Sequence, residues 1–233
     1  MTARRRFYKT VTVTGDNAIA LDGKPIKTPM KAALRLPARA LAEAVAAEWE
    51  AQGAEINPAS MPLTRLANTA IDRVARERPK IEAEARAYAN SDLVCYRAER
   101  PPDLVARQAA AWDPVADWAR TALDAPFVVT AGVMHQPQSP AALTAFAAVV
   151  AALDDFELAA FHTVMTLTGS ALIAMMLARR AIAPDEAWRI AHVDEDYQAE
   201  LWGEDDEAMA RRASRRAEFM AACRFLLLAR AAN

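Results

Sequence analysis

Apolar and polar positions alternate near the start of the chain. Residues 7–13 follow a period of two, which is typical of a β-strand. A turn signal follows at residues 15–17, and Asp22-Gly23 is a two-residue hairpin signal, because both positions tolerate positive φ. Further short strands are predicted at 18–21, 25–28 and 32–36. The pattern therefore predicts a small β-meander at the N-terminus.

From Pro37 onward the apolar positions recur every three or four residues, which is the period of amphipathic helices. Helices are predicted at 37–53, from 63 to just before Pro79, and at 81–96, 140–153, 158–178, 184–202 and 206–229. A further helix is predicted to start at Pro102, with a kink or break at Asp113-Pro114, and an extended stretch is predicted at 127–134. The predicted fold class is α+β and mostly helical. A small β-rich N-terminal domain, residues 1–60, precedes a larger helical bundle domain, residues 61–233.

The segment 158–178 contains no Asp, Glu, Lys or Arg. As one helix it would be roughly 30 Å long, enough to span a bilayer. It also contains His162, Gly169, Ser170 and several threonines, and many of its apolar residues are alanines. We therefore interpret it as the central buried helix of a bundle and expect no membrane insertion.

Composition narrows the possible functions. Of 233 residues 54% are hydrophobic, and 28 basic against 30 acidic residues leave a net charge of −2, so no overall basic field favours nucleic acid. The N-terminus has no apolar stretch after its arginines, and we expect a cytoplasmic protein of bacterial type that is monomeric when free. Cys95 and Cys223 are far apart and are expected to be buried free thiols.

The residues that usually carry chemistry do not form a recognisable catalytic pattern. His135, His162 and His192 lack metal-ligand spacing, and neither a phosphate-binding glycine loop nor a nucleophile elbow is present. The acidic run 194–196 lacks the glycine that a calcium loop requires. We expect no catalytic residue, no cofactor and no metal site, and therefore no enzyme.

The predicted helix 184–202 carries two distinct faces. At 100° per residue one face collects Ile190, Val193, Tyr197 and Leu201, and the opposite face collects Trp188, Glu195, Gln198 and Trp202. The first face is sufficient to dock the helix. The second is either covered by neighbouring elements or exposed as a binding face, since aromatic residues are enriched at partner hot spots. Spacing alone leaves both interpretations open.

The predicted last helix carries a group of arginines, Arg211, Arg212, Arg215 and Arg216. The simplest interpretation is a solvated face with acidic neighbours. The alternative is a surface that binds an anionic partner or a membrane surface.

Several runs, taken in order, resemble one known family. They are Phe7-Tyr8-Lys9, LDGKPIKTP at 21–29, the helix with Leu41, Glu48, Trp49 and Gln52, MPLTRLANTAID at 61–72, SDLVCYR at 91–97, Gln108 with Trp112-Asp113-Pro114, Gly169-Ser170, and Glu195, Tyr197, Gln198, Trp202 and Gly203. This ordered set is similar to the assembly chaperones dedicated to the α subunit of the F-type ATP synthase head. The resemblance covers roughly residues 6–205.

The resemblance implies a chaperone that binds the free α subunit and prevents its aggregation until the subunit pairs with the β subunit, without ATP hydrolysis. It places partner contacts at Glu195, Gln198, Trp202 and Gly203, and Trp188 shares their predicted helix face. Two alternatives remain open: a small-molecule enzyme, and a general peptide-binding adaptor that uses the helical domain. Capture of unrelated unfolded proteins would favour the adaptor.

Overall fold

The computed structural model describes residues 4–132, 134–203 and 205–230. Strands are short and helices dominate, as the sequence predicts. The strands are β1 (Arg4–Arg5), β2 (Val11–Val13), β3 (Ile19–Leu21), β4 (Lys24–Pro25), β5 (Glu55–Ile56), β6 (Tyr96–Arg97) and β7 (Thr130–Ala131). The helices are α1 (Arg39–Glu50), α2 (Pro62–Thr69), α3 (Ala75–Asn90), α4 (Pro102–Ala122), α5 (Pro140–Ala151), α6 (Asp155–Thr168), α7 (Ala171–Ala178), α8 (Pro184–Ala191), α9 (Val193–Trp202) and α10 (Asp206–Ala229). The predicted fold class, α+β and mostly helical, is confirmed.

Packing divides the described chain into two compact units that interleave along the sequence. The first comprises the described residues up to Arg78, Asp154–Ala160, and the described residues from Ala221 onward. The second comprises Pro79–Leu153 and Phe161–Met220 within the described chain. The contiguous domains expected from the sequence, residues 1–60 and 61–233, stay a prediction.

The first unit contains the predicted β-meander. β2, β3 and β4 pair antiparallel in that order, with Val11 opposite Leu21 and Leu21 opposite Lys24. Asp22 and Gly23 have φ of 47° and 76°, which fits the two-residue hairpin turn predicted there. The Asp22 carboxylate also accepts the backbone N–H groups of Lys9 and Thr10, at 3.0 and 2.9 Å, and so ties the turn to the chain before β2.

A second packing centre of this unit lies around Tyr8. Its ring packs on Trp49 with centroids 5.8 Å apart, and its hydroxyl donates to the Trp49 carbonyl at 2.6 Å. Glu48, next to Trp49, accepts the backbone N–H groups of Leu63 and Thr64, both at 2.8 Å. These are among the first N–H groups of α2, which have no partner within that helix, so Glu48 fixes where α2 begins.

The second unit is a helical bundle around α7, all of whose residues are buried. The fully buried Asp92 fixes the start of α7, because its carboxylate accepts the Ser170 hydroxyl at 2.7 Å and the Leu172 N–H at 3.0 Å. Burial raises the pKa of Asp92 to about 6, although these hydrogen bonds lower it. In the same unit the fully buried Trp112 of α4 donates its indole N–H to the Ile190 carbonyl at 2.6 Å.

Two predicted long helices are each divided in the structure. The predicted buried helix 158–178 is interrupted at Gly169, whose φ of 69° ends α6, and Ser170 caps α7 by accepting the Ile173 N–H. The predicted helix 184–202 is interrupted at His192, with φ of −117° and ψ of 25°. Glycine explains the first break, and a side-chain contact between His192 and Trp188, described below, explains the second.

Two further helix predictions differ from the structure. α4 is continuous through Pro114, so the break that was one of the two predicted outcomes does not occur, and the buried Trp112 and Val115 on either side hold the helix in place. The helix predicted to reach Tyr96 ends at Asn90, since the Asp92 side chain caps the short turn that follows by accepting the Val94 N–H.

Candidate functional site

A groove runs between α9 and the first turns of α10, with a volume of about 490 Å³. We call it the α9–α10 groove. Its α9 wall consists of Glu195, Gln198, Ala199 and Trp202; its α10 wall consists of Ala208, Met209, Arg211, Arg212 and Arg215; Gly203 and Asp205 form the turn, and Trp188 and His192 form the floor. This volume lies in the usual range of ligand pockets, about 300–1,000 Å³.

The two walls are antiparallel. Asp196 of α9 forms an ion pair with Arg212 of α10, and further from the connecting turn Trp188 packs against Phe219 with ring centroids 5.2 Å apart. The groove therefore has a turn end, near Trp202, and a floor end, near Trp188. At 1.5 Å per residue, Glu195 and Trp202 lie about 10 Å apart along α9.

The floor is a stacked aromatic pair. The rings of Trp188 and His192 lie 3.8 Å apart at an interplanar angle of 29°, and His192 Nδ1–H donates to the Trp188 carbonyl at 2.8 Å. Both side chains are buried. This contact turns the imidazole back over the preceding turn and explains why the helix is interrupted at His192.

The electrostatic setting of His192 combines burial with opposite charges. Burial lowers its pKa, and Arg212 and Arg215 lower it further, whereas the bond to the Trp188 carbonyl and the charge of Glu195 raise it. Glu195 and Arg215 therefore both lie close enough to act on the same imidazole.

The opposite face of α9 is held by α4. The Tyr197 hydroxyl donates to Asp103 at 2.9 Å, and Arg107 lies over the Tyr197 ring at 5.3 Å. Gln108 donates to Asp194 at 2.7 Å. Because these bonds lie within one packing unit, the α9 wall is held in position without any occupant of the groove.

The turn end of the groove carries exposed apolar side chains. Trp202 is 85% exposed and Met209 43% exposed, and both line the groove. Gly203, with φ of 81°, ends α9 and its N–H donates to the Ala199 carbonyl. Asp205 then starts α10 by accepting the Ala208 N–H at 2.6 Å. An exposed tryptophan beside a concave surface is typical of a partner-binding site.

Polar side chains along the α9 wall differ in their partners. Asp194 and Asp196, on either side of Glu195, are bonded to Gln108 and Arg212. Glu195 is exposed, and within the described part of the chain its carboxylate takes part in no hydrogen bond or ion pair. The acidic run thus supplies two structural carboxylates and one that faces solvent in the groove.

All five residues predicted as partner contacts border this groove: Trp188, Glu195, Gln198, Trp202 and Gly203. They do not share one environment, because Trp188 is 6% exposed and forms the floor, whereas Trp202 is exposed at the rim. The predicted docking face also differs in part: Leu201 is 59% exposed, so Tyr197 is the last buried residue of that stripe.

The sequence interpretation missed the second wall. The simplest interpretation placed Arg211, Arg212, Arg215 and Arg216 on a solvated face with acidic neighbours. Three of these four arginines do have an acidic neighbour: Arg211 pairs with Glu207, Arg212 with Asp196 and Arg216 with Asp185. The spacing of Ala208, Arg211, Arg212 and Arg215 by three, four and seven residues is the available signal for a wall. That signal could not say which helix lies opposite.

A larger cavity, about 610 Å³, lies on the other side of Gln198 and is lined mostly by polar and charged side chains. Its one aromatic residue, Tyr96, is already bonded through its hydroxyl to His135 at 2.8 Å. Arg97 is ion-paired with Asp113 at 3.0 Å. It offers no exposed apolar anchor like Trp202, so the α9–α10 groove is the stronger candidate.

The described residues form neither a metal-binding cluster nor a membrane-spanning helix. Across the described ranges, no group of three or more His, Cys, Asp or Glu side chains is placed to hold a metal ion. None of the helices in that part of the chain has the length and apolar character needed to cross a membrane. His162, which lies in the segment interpreted as a buried helix, is half-buried and bonded to Glu84 at 2.9 Å.

Comparisons with known proteins agree with one another. A family model described as ATP12 chaperone protein matches residues 5–120. Atp12 from Paracoccus denitrificans is 43% identical and superposes with a TM-score of 0.91 over 97% of this chain and 99% of that one. A single-substitution variant of the same protein gives 43% identity and a TM-score of 0.93, over 97% and 98% of the two chains.

A protein from Agrobacterium tumefaciens described as a chaperone is 45% identical, with a TM-score of 0.91 over 97% of this chain and 86% of that one. Identity at this level over nearly the whole length shows common family as well as common fold. The chain belongs to the ATP12 chaperone family, the chaperones of ATP synthase assembly.

Proposed function

We propose that this chaperone binds the free α subunit of the F-type ATP synthase head and prevents its aggregation until it pairs with the β subunit. A subunit that has not yet assembled exposes a large apolar interface, and such a patch self-associates. Covering it requires shape and contact area, not chemistry. On this proposal the chain acts as a binding protein, not as an enzyme.

The α9–α10 groove is the proposed contact surface. The observation that carries this assignment is Trp202, which is 85% exposed at the rim of a groove whose floor is a buried aromatic stack. A tryptophan in water is energetically unfavourable for the free protein, and aromatic anchors are the commonest hot spots of protein interfaces. Glu195 adds an unpaired carboxylate on the same wall.

The test is co-expression of this chain with the α subunit alone, measuring soluble α subunit and the complex that co-purifies. We expect the wild type to keep the α subunit soluble, and Trp202→Ala and Glu195→Lys each to reduce the recovered complex about tenfold or more. Because both side chains are exposed, both variants should keep the wild-type circular dichroism spectrum.

Two matched controls separate the groove from general surface effects. Met134→Ala removes a side chain that is 78% exposed but lies outside the groove, and Glu218→Lys reverses an exposed charge of α10 that does not line it. Both should capture the α subunit like the wild type. Equal rescue of an unrelated aggregation-prone protein would indicate a general adaptor, and normal capture by Trp202→Ala would remove the groove as the contact.

A further inference from the structure

Next to the Asp196–Arg212 ion pair, the α9–α10 groove holds two opposite charges that do not pair with each other. Glu195 on the α9 wall has no ion-pair partner in the described part of the chain, and Arg215 on the α10 wall is bonded only to the Leu167 carbonyl there, at 2.8 Å. Glu195 directly precedes Asp196, and Arg215 follows Arg212 by about one helical turn, so both charges lie within about one turn of this ion pair. The other groove arginines are already neutralised, Arg211 by Glu207 and Arg212 by an aspartate.

The turn end of the groove, by contrast, holds the exposed apolar side chains Trp202 and Met209, with Ala199 and Ala208 beside them. Its charged groups are already bonded, Asp205 to the Ala208 N–H and Arg211 to Glu207. The groove thus offers apolar side chains at its turn end and, about 10 Å away along α9, an acidic group on one wall and a basic group on the other. This arrangement is asymmetric both along the groove and across it.

We propose that the groove recognises a helical segment of the α subunit by the arrangement of its charges, an inference that rests on the proposed function. The segment places apolar side chains against Trp202 and Met209. About two turns along, a basic side chain faces Glu195 and an acidic side chain faces Arg215. Laying a third amphipathic helix into the groove between two antiparallel helices is a common mode of peptide recognition.

Desolvation explains why the charges select rather than merely attract. In the free chaperone both side chains are exposed, so water solvates Glu195 and the part of the Arg215 guanidinium that does not donate to the Leu167 carbonyl. An apolar segment without charges would cover both and leave them unpaired, which is unfavourable. A segment with the charges on the wrong sides would place like charges together. The same two residues therefore favour one client orientation and disfavour unrelated apolar peptides.

Two alanine-based helical peptides with the same leucine stripe test this directly. They carry one Lys and one Glu at the same end of the stripe, on opposite flanks, and differ only by exchange of the two. Binding is followed by the change in tryptophan fluorescence of the full chain. We expect the wild type to prefer one peptide by about tenfold or more.

The decisive variant is the exchange Glu195→Arg/Arg215→Glu, which keeps the net charge. We expect it to invert the peptide preference and to lose capture of the α subunit. Equal binding of the two peptides by the wild type, or an unchanged preference in the exchange variant, would overturn the charge proposal. So would full capture of the α subunit by the exchange variant, because the groove would then need only its total charge.

Trp202→Ala distinguishes this proposal from the function it rests on. Loss of α-subunit capture in Trp202→Ala, together with equal binding of the two peptides by the wild type, refutes the charge arrangement and leaves the groove as the contact surface. Failure of the wild type to capture the α subunit refutes the proposed function, and with it the client named here. The circular dichroism spectrum and urea midpoint of the exchange variant establish that it is folded.

Discussion

Two tryptophans of one groove should respond to truncation in opposite ways. Trp188 is 6% exposed and packs between His192 and Phe219, whereas Trp202 is 85% exposed at the rim. Replacing Trp188 by alanine therefore removes core packing, and replacing Trp202 removes almost none. Comparing the two variants therefore separates effects on the stability of the second unit from effects on binding at the groove.

The expected loss of stability in each variant follows from how much of the tryptophan side chain is buried. A buried tryptophan covers about 150–250 Å², and truncating one to alanine costs about 3–5 kcal/mol, which we expect for Trp188→Ala. For Trp202 about one seventh of that area is covered, or roughly 20–40 Å², which at about 25 cal/mol per Å² amounts to at most about 1 kcal/mol. Since total stability is about 5–15 kcal/mol, the first change is large and the second small.

Urea unfolding followed by far-UV circular dichroism measures both variants, and co-expression with the α subunit measures capture. We expect Trp188→Ala to shift the urea midpoint strongly downward, and Trp202→Ala to keep the midpoint but lose capture. A Trp202→Ala midpoint as low as that of Trp188→Ala would refute the assignment of Trp202 to an exposed rim. Unchanged stability of Trp188→Ala would refute the aromatic floor.

Three further predictions concern the helix ends of the second unit. Asp92→Asn should lower the free energy of unfolding by about 1–3 kcal/mol at neutral pH, since an amide nitrogen would face the buried Leu172 N–H. Burial raises the pKa of Asp92 in the folded state to about 6, above its ordinary 3.8, so the folded state binds the Asp92 proton more tightly than the unfolded state. Protonation of this carboxyl therefore adds stability that is complete below about pH 4 and is lost as the pH rises through about 6. Urea titrations across that range should show a flatter dependence of stability on pH for Asp92→Asn than for the wild type. Ser139→Ala should lower the free energy of unfolding by about 1 kcal/mol, because it removes the side-chain cap of α5. Ala183→Ser should raise it by up to about 1 kcal/mol, because α8 has no side-chain cap. Thermal midpoints of the two variants measure both effects. Gly203→Ala should destabilise the turn by about 1–3 kcal/mol, because a φ of 81° disfavours any side chain. No atom lies within 4 Å of the added Cβ, so the cost comes from the backbone and not from a clash. Faster amide hydrogen exchange at the C-terminal end of α9 should report the change.

Sequence patterns that depend on nearest neighbours predicted their elements well. The hairpin at Asp22-Gly23 forms as its two positive φ values require, and α5 begins at residue 140 as predicted, with Ser139 as its cap. α10 has the predicted bounds, Asp206–Ala229. Each of these depends on backbone preferences within a few residues, which the sequence carries directly.

Predictions that rest on periodicity or on a single local rule were less accurate. The break at His192 depends on the bond of its ring to the Trp188 carbonyl and on burial of both side chains, and periodicity extended the helix across it. Pro114 is a different case, since packing around the buried Trp112 keeps α4 continuous where a local rule allowed a break. A side-chain bond one turn back thus ended one helix, and tertiary packing preserved another against the local preference.

The sequence predicted one wall of the candidate site and not the other, because helical spacing shows which residues share a face but not what packs against it. Helical spacing placed Glu195, Gln198 and Trp202 on one face, and the structure keeps them together along one wall. Which side chains cover that face is a property of the fold, so the α10 wall and the burial of Trp188 could not be read from spacing. The resemblance to a family pointed to the α9 segment but not to its opposite wall.

The way α9 is held has a consequence for client release. Tyr197 and Asp194 fix one face of this helix to α4, and these contacts do not involve the groove. On the proposed function, the wall that faces the client is therefore already in place before binding, so little conformational entropy is lost when the client docks and little structure must reform when it leaves. The groove offers few exposed apolar side chains, chiefly Trp202 and Met209, whereas a permanent subunit interface buries about 2,000 Å² or more. On the proposed function, the β subunit can displace the chaperone because it covers more apolar surface, and no energy source other than assembly itself is required.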